Sequence, residues 1–472
     1  MIDLKNFKLS DFNAEHLFLM FGVVFGLFFV FENPPFHTND EDRHFYYAYQ
    51  ISTGQLFAEA NMKEQKVGCE LPKNLYNVVA SFQGVPYQNR TKISSTQLDN
   101  AKSMDLNSSE AVFINHFHAG TRQFSFIPSS IGILFGRILG AGPIWLGWWG
   151  RLFSLACYLS IIFFAIRTTP VFKTVFVLYA LSPMALFQGA SVTYDMMSNS
   201  LSLLLVAYFL YLAYDDKSRV GTREMRTILI LTFLHAFSKH GYVFIPFIFF
   251  IIPKKKFDKP FNFNYSIVAG LSFVFFVMMY FIESTWGKII PDYSHIKQPP
   301  FQNDFLFDYA GNMKHWISNI PTLIPLLYDN ILHFRQEWFA GVIGRFGYSY
   351  TNLPNEFYLM YGMGLLGAAF LDNDKKINIL PYQKLIFFFV AFLNSMALIF
   401  QFLLTSPVGA KMIFGFQGRY LVQLVPIFLL AFYQNKISIT QWDKHKTVIV
   451  GIYLTFALIF VVTFMIDSFF TL

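Results

Sequence analysis

The sequence predicts an all-α integral membrane protein, a bundle of about eleven transmembrane helices. Three observations predict it. Of 472 residues, 54% are hydrophobic and only 14% are charged, against roughly 25% charged in soluble domains. Mean hydropathy is +0.41. Apolar runs near bilayer length recur along the chain, and basic residues gather in short turns between alternate runs. So few charges cannot cover a soluble globule of this size, which excludes soluble multidomain, disordered and disulfide-scaffold classes. The net charge of +7 then belongs to cytoplasmic loops and not to a nucleic-acid face. Cys69 and Cys157 stand far apart and indicate no disulfide or thiolate-metal framework.

The elements follow in order as one polytopic domain, 1–472. The first span, 16–33, ends at Asn33-Pro34-Pro35 without a small-residue cleavage site and is expected to be an uncleaved anchor. A large outer segment, 34–147, comes next. Within it, Phe45 to Leu56 is aromatic and apolar at helical spacing, which predicts an amphipathic helix lying in the interface. Pro128 to Trp149 is also apolar, with Arg137 and several glycines. Counted as a span, it would move most later basic clusters outside, so it is expected to be interfacial or re-entrant.

Further spans are expected at 149–167, 171–189 and 196–214, and a short pair at 225–239 and 240–253. A span at 263–283 leads to a second outer segment, 284–355, and the last four lie at 355–371, 383–404, 418–433 and 447–467. With the N-terminus inside, Lys5 and Lys8, Arg167 and Lys173, the Lys217–Arg226 cluster, Lys254 to Lys256, Lys375-Lys376 and Lys436 to Lys446 all fall on the cytoplasmic side. The cytoplasmic loops are too short for a nucleotide-binding domain, and neither phosphate-loop pattern occurs. No internal repeat of the transporter kind is apparent.

The strongest local signal is Asn39-Asp40-Glu41-Asp42-Arg43-His44, just after the first span. Three adjacent acids at a membrane surface are costly unless they meet water, a metal or a cation. A plain charged loop opening an outer domain weighs equally on residue chemistry alone. Asp195, at the start of another span, has a plain helix N-cap as its simplest reading. Its predicted position on the same membrane side as Asp40 argues for more. Outer cations and donors are Lys239-His240, Gln417-Gly418-Arg419-Tyr420, His333, Arg335 and Arg345. Any one of them is more often a headgroup anchor than a ligand. Arg419 opens an apolar run against the positive-inside trend, which makes it the best phosphate candidate. His116 and His118 offer a His-x-His pair for a divalent metal, though no metal is demanded.

The order Asp40-Glu41-x-Arg43-x-Phe45 resembles the first-loop motif of GT-C fold glycosyltransferases, such as the aminoarabinose and protein O-mannosyl transferases. The longer pattern resembles a bacterial membrane family, domain of unknown function 2142. It comprises Asp40-Glu41 with His44 and Ala48-Tyr49-Gln50, Ser182-Pro183 with Gln188 through Asp195, and Gln417-Gly418-Arg419-Tyr420. Asp42 stands where that family usually has Pro.

The resemblance implies a GT-C-like bundle in the bacterial inner membrane with its site on the periplasmic side. It implies a polyprenyl-phosphate-sugar donor and an envelope glycan such as O-antigen, or another acceptor. Asp40 would be the general base, Glu41 the alternative base and Asp195 a second acid. Arg419 would meet the lipid phosphate, with Lys239 and His240 next in line, and Arg43 would orient the acids. A polyprenyl-glycan flippase and an O-antigen polymerase or ligase remain as rivals; the late segment from His333 to Arg345 keeps the second open.

Overall fold

The computed structural model describes residues 13–87, 92–106, 110–115, 123–239, 241–258, 309–374, 376–434 and 440–470. His116, His118, Arg122, His240 and the expected span 263–283 lie outside the described residues.

Five helices among the described residues are long and apolar enough to cross a membrane: Ala14–Glu32, Pro143–Thr168, Tyr194–Tyr214, Pro381–Leu404 and His445–Phe469. The first is α1, and its 19 residues rise about 28 Å, close to one hydrocarbon core. Its Phe18, Phe21, Phe25 and Phe29 are buried, while Val23, Val24, Phe28 and Phe31 on the other face are open. Lipid-facing and core-facing residues are equally apolar here, because lipid replaces water on the outer face.

After α1 come α2 (Glu41–Ser52), strands β1 (Glu59–Asn61) and β2 (Lys66–Pro72), α3 (Lys73–Ser81), α4 (Ser95–Ser103) and β3 (Ala111–Asn115). The strands form an antiparallel sheet in the order β1-β2-β3, with Gly68 opposite both Glu59 and Asn115. The first outer segment therefore carries a sheet where the sequence predicts helices alone. The helix at 45–56 also differs from expectation. Every residue of α2 from His44 to Gln50 is buried, because α5 (Gln123–Ile138) packs along it, with α6 (Pro143–Thr168) and β2 also against it. It lies inside protein and not in the interface.

The stretch expected to be interfacial or re-entrant is a helical hairpin, α5 turning into α6 through Gly140 at φ +71. A methyl group at Gly132 would stand 2.3 Å from the Trp149 carbonyl oxygen. Gly132 and, one turn on, Gly136, whose added carbon would stand 2.6 Å from the Trp149 ring, serve that close approach. Consequently α6 starts at Pro143, six residues before the expected span.

Expected single spans also break in two. The run 171–189 forms α7 (Lys173–Ala180) and α8 (Pro183–Gly189), parted at Leu181-Ser182. Proline at the first position of α8 follows Ser182, whose hydroxyl caps the new helix by accepting from the Ala185 N–H at 3.4 Å. Next come α9 (Tyr194–Tyr214) and α10 (Thr222–Ser238), then a tight helical turn, Ile245–Ile251. The remainder is α11 (Tyr309–Ser318), α12 (Ile320–Ile343), the β4–β5 hairpin (Arg345–Phe346 with Thr351–Asn352), α13 (Asn355–Leu371) and α14 (Pro381–Leu404). The run 418–433 is a tight helical segment, Gly418–Leu424, leading into α15 (Val425–Leu430), and the last helix is α16 (Thr440–Phe469).

Helix α1 packs against α6, α7 and α16, and α6 against α9. Two ends of the bundle follow. At one, Lys173 at the start of α7, Lys446, Asp372 and Lys376 line a polar cleft, which Glu15 of α1 approaches through Lys173. At the other, the C-terminus of α1 leads into Asn33 to Asp40, where the acids lie.

Candidate functional site

Four charged side chains from four elements converge at that second end. Asp40 immediately precedes α2 in the left-handed conformation, φ +59. Asp195 stands in the first turn of α9, Lys239 follows the last turn of α10, and Arg419 lies in the segment Gly418–Leu424. Arg419 bridges the two acids. Its Nη1 lies 3.3 Å from Asp195 Oδ2 and its Nη2 3.4 Å from Asp40 Oδ2. Lys239 Nζ donates to the other Asp195 oxygen. Two acids and two cations balance formally, as a buried cluster requires. The Asp40 side chain is 28% exposed, against 3% for Asp195 and 5% for Arg419. Asp40 is thus the more open of the two carboxylates that Arg419 bridges.

Asp195 is not the N-cap of α9. Thr193 is, with its hydroxyl accepting from the Asp195 N–H at 3.3 Å. That frees the Asp195 carboxylate for the cations and for Gln188 Nε2 at 3.1 Å. Below it, Asn199 donates to Gln188 Oε1 at 2.7 Å, and Gln423 donates to Ser198 at 3.0 Å. His235 Nε2 meets Gln423 Oε1 at 3.1 Å. These contacts tie α9 and α10 to the segment that carries Arg419.

Two neighbours fix the Arg419 guanidinium. Gln417 Oε1 accepts from its Nε at 2.9 Å and from Asn39 Nδ2 at 3.2 Å, and so spans to the residue before Asp40. The Tyr420 hydroxyl accepts from Nη2 at 3.1 Å. Lys239 Nζ lies 4.6 Å from the Tyr420 ring centre and 5.1 Å from that of Tyr194. Aromatic faces thus help to replace the water that an ammonium loses on burial. The segment can approach this closely because residue 418 is glycine. A methyl group there would sit 2.0 Å from the Trp338 carbonyl oxygen.

Glu41 has a different task. Its Oε1 accepts from Arg151 Nε at 2.8 Å and from the Val192 N–H at 3.0 Å, and its Oε2 accepts from Arg151 Nη2 at 2.6 Å. Both residues are buried. Arg151 also donates to the carbonyls of Val30, Asn33 and Pro34. This bidentate pair leaves Glu41 little freedom to act as the alternative base, and anchors α2 and the α1 exit to α6. Arg151 is thus the arginine that holds Glu41, while Arg43, expected to orient the acids, sits half-buried beside Asp42. Burial, and then the neighbouring Asp40, push the Asp42 carboxyl above its usual range against the opposing pull of Arg43.

His44 is buried with its ring edge-on to Tyr194, centres 4.9 Å apart. Arg335 stays outside the cluster. It is exposed on α12, donates to the Leu332 carbonyl and lines an apolar groove of about 590 Å³. Other walls of that groove are Trp338, Met363, Phe392, Leu421 and Phe428. Leu421 and Leu424, which line it, belong to the same segment as Arg419. Arg345 pairs with Glu337 at 3.1 Å, and His333 is exposed. Among the described residues, no three His, Cys, Asp or Glu side chains form a metal-binding group.

Sequence reading missed two residues of this region, Arg151 and Tyr348. The Tyr348 hydroxyl donates to Asp40 Oδ1 at 2.9 Å and accepts from the Asp40 N–H at 3.0 Å. A lone arginine inside the apolar run Gly147 to Leu155 was a legible signal for Arg151. Tyr348 carries no comparable mark among 25 tyrosines.

Apolar helices of bilayer length, together with a buried ionic cluster at one end of the bundle, define a polytopic membrane protein with a candidate ligand site. The chain belongs to the family described as predicted membrane protein (DUF2142), whose model matches residues 23–430. That stretch includes Asp40, Arg151, Asp195, Lys239, Tyr348 and Arg419. No curated protein and no solved structure matches the chain.

Proposed function

We propose that this protein is a GT-C-like membrane glycosyltransferase of the bacterial inner membrane. In this reading it moves a sugar from a polyprenyl-phosphate donor to an envelope glycan such as O-antigen, or to another acceptor, on the periplasmic side. The observation that carries it is the placement of Asp40, a partly open carboxylate 3.4 Å from the buried guanidinium of Arg419. The apolar groove shares a helical segment with that guanidinium. A polyprenyl-phosphate sugar has the matching parts: an apolar tail, one anionic phosphate and a polar head.

The chemistry balances with these residues. The acceptor hydroxyl gives its proton to Asp40 while its oxygen bonds to the anomeric carbon. On the opposite face the bond from that carbon to the phosphate oxygen breaks, and its electron pair leaves with the lipid phosphate. This single displacement inverts the anomeric centre. Arg419 and Lys239 stabilise the charge that grows on the leaving phosphate, and Asp195 holds both cations near it. General-base help of this kind is worth about 10²–10⁴ in rate. The activated donor supplies the driving force, so no nucleotide site is needed. The partly open acid, the paired cations and the groove on the same helical segment support this reading over a structural subunit.

The test uses the full chain in liposomes with a radiolabelled polyprenyl-phosphate hexose, a polyprenyl-diphosphate analogue and an envelope-glycan extract as the hydroxyl acceptor. The wild type is expected to consume the monophosphate donor and release polyprenyl phosphate. Asp40→Asn should lose transfer by about 100-fold or more while keeping its melting temperature and donor binding. Full activity in Asp40→Asn would remove Asp40 as the base. Movement of intact labelled lipid without consumption would make the protein a flippase, and a requirement for the diphosphate would make it a polymerase or ligase.

A further inference from the structure

Arg419 and Tyr348 meet the two carboxylate oxygens of Asp40. Arg419 meets Oδ2, but it also meets Asp195, and in the proposed reaction it turns to the donor phosphate. Tyr348 meets Oδ1 and the backbone N–H of the same residue. That N–H matters because a non-glycine residue at φ +59 is held there at a cost of about 1–2 kcal/mol.

Tyr348 is itself well fixed. Its N–H donates to the Pro86 carbonyl at 3.0 Å, and its ring stacks on Tyr87 with centres 4.5 Å apart and 11° between planes. It lies between β4 and β5 and follows Gly347 at φ +58. A methyl group at Gly347 would stand 2.7 Å from the Pro86 oxygen and 3.1 Å from His37 Nε2, so glycine is what lets the hairpin close onto the first outer segment. Burial, then the carboxylates of Asp40 and Asp42, push the Tyr348 phenol far above its usual range. It therefore remains a donor at every working pH.

We propose that Tyr348 is the positioning residue of the base: its hydroxyl occupies Asp40 Oδ1, pins the left-handed turn, and leaves Oδ2 to take the acceptor proton when Arg419 engages the donor phosphate. The assignment rests on the transferase reading above. Two outer segments far apart in sequence thus meet at Asp40, and closing the hairpin onto Pro86 and Tyr87 completes the site. Among the described residues, the charged and titratable groups that feel Asp40 include Arg419 and Tyr420 from the tight helical segment, Asp42 from α2 and Tyr348 from the hairpin.

Tyr348→Phe tests this, because it keeps the ring stack and removes only the hydroxyl. The expected result is a kcat lower by about 10- to 100-fold, the usual effect of losing one hydrogen bond to a charged group. Binding of polyprenyl phosphate should stay near wild type, while the melting temperature falls modestly, because the Asp40 turn loses the hydroxyl that holds its N–H and Oδ1. The acid limb of the kcat profile should move up by about one pH unit, since a carboxylate without its donor binds protons more readily. An independent readout is the Asp40 carboxylate titration by infrared difference spectroscopy, assigned against Asp40→Asn. It should shift upward in Tyr348→Phe by the same amount. An unchanged Asp40 titration overturns the positioning role whether or not transfer is observed. A shifted titration in a chain that transfers no sugar would instead uphold the role and sink the transferase reading.

Discussion

Arg151 and Glu41 form a two-point ion pair, 2.8 and 2.6 Å long, inside the protein at the exit of α1. The pair sets Glu41 apart from Asp40 in the Asp40-Glu41-Asp42 run, since both oxygens of Glu41 are taken up inside the protein. Glu41 is spent on architecture, and the backbone turn it anchors delivers Asp40 to the open side. The partners should differ in what their loss does. Arg151→Met strands a buried carboxylate and three carbonyl oxygens, which should destabilise the fold by about 3–5 kcal/mol. Glu41→Gln keeps an acceptor for the Val192 N–H and leaves Arg151 its three carbonyls, so about 1–3 kcal/mol is expected. Thermal unfolding of both variants in the same detergent checks the order. Equal melting temperatures would mean that the pair is not the anchor.

Arg419→Lys should fail to replace Arg419. The guanidinium reaches Asp195 with one nitrogen and Asp40 with another, while Gln417 accepts from a third. An ammonium is a point charge and cannot span these acceptors. Polyprenyl-phosphate binding by Arg419→Lys should weaken by at least about 10-fold, the equivalent of one charge-assisted hydrogen bond. Arg419→Ala should mainly weaken donor binding too. Unchanged affinity in both variants would move the phosphate site to Lys239.

The same logic shows what the sequence could reveal. Apolar runs at bilayer length mark α1, α6, α9, α14 and α16, because burial in lipid demands length and hydropathy and little else. The breaks at Leu181-Ser182 and within 418–433 keep the same hydropathy, so composition passes over them. The three-stranded sheet is short and its pairing is non-local. Burial of α2 depends on α5, a helix some seventy residues away. At the site, Asp40, Asp195, Lys239, Gln417, Arg419 and Tyr420 each stand out as polar residues beside apolar runs. Their convergence could not be read, since Arg419 follows Asp40 by 379 positions.

Gly418→Ala should damage the site without touching a charge. Its new methyl would meet the Trp338 carbonyl oxygen at 2.0 Å, a backbone atom that cannot move aside alone. The segment carrying Arg419 would have to shift away from α12. Lower stability by about 1–3 kcal/mol is expected, with weaker donor binding. Gly367→Ala is the control. Nothing lies within 4 Å of its added carbon, and a mid-helix glycine replaced by alanine should gain about 0.5–1 kcal/mol. Matching melting curves for the two variants would contradict the close packing at Gly418.

His37 gives the fold a dependence on pH. It is fully buried between Asn33, at 2.8 Å, and Thr351, at 3.3 Å. Burial first, and the nearby Arg151 charge second, lower its pKa from 6.5 to about 3. The unfolded chain therefore binds a proton below pH 6.5 that the folded chain refuses until about pH 3. Stability at its full value above the unfolded pKa falls as the solution is acidified through this window, by up to about 1.4 kcal/mol per pH unit. His37→Gln should be less stable at neutral pH but flatter between pH 6 and 4. Unfolding measured across that range checks it, and parallel slopes would assign the acid sensitivity elsewhere.

The groove that shares a helical segment with Arg419 makes a prediction about the donor tail of the proposed reaction. Its walls from α12, α13, α14 and α15 are almost entirely apolar, and its volume is about 590 Å³. Each methylene moved from water into such a place is worth about 0.8 kcal/mol. Part of that gain is absent for a donor already dissolved in a membrane, so the measurement belongs in detergent at a fixed micelle concentration. Affinity should then rise severalfold with each added isoprene unit and level off once the groove is filled. The plateau follows from the finite length of the walls, and a membrane-partition effect would give none. Phe428→Ser should lower the plateau while leaving the affinity of the shortest donors unchanged, because those reach only Arg419 and Lys239. An affinity independent of tail length would separate the groove from the ionic cluster and leave the phosphate as the only recognised part of the donor.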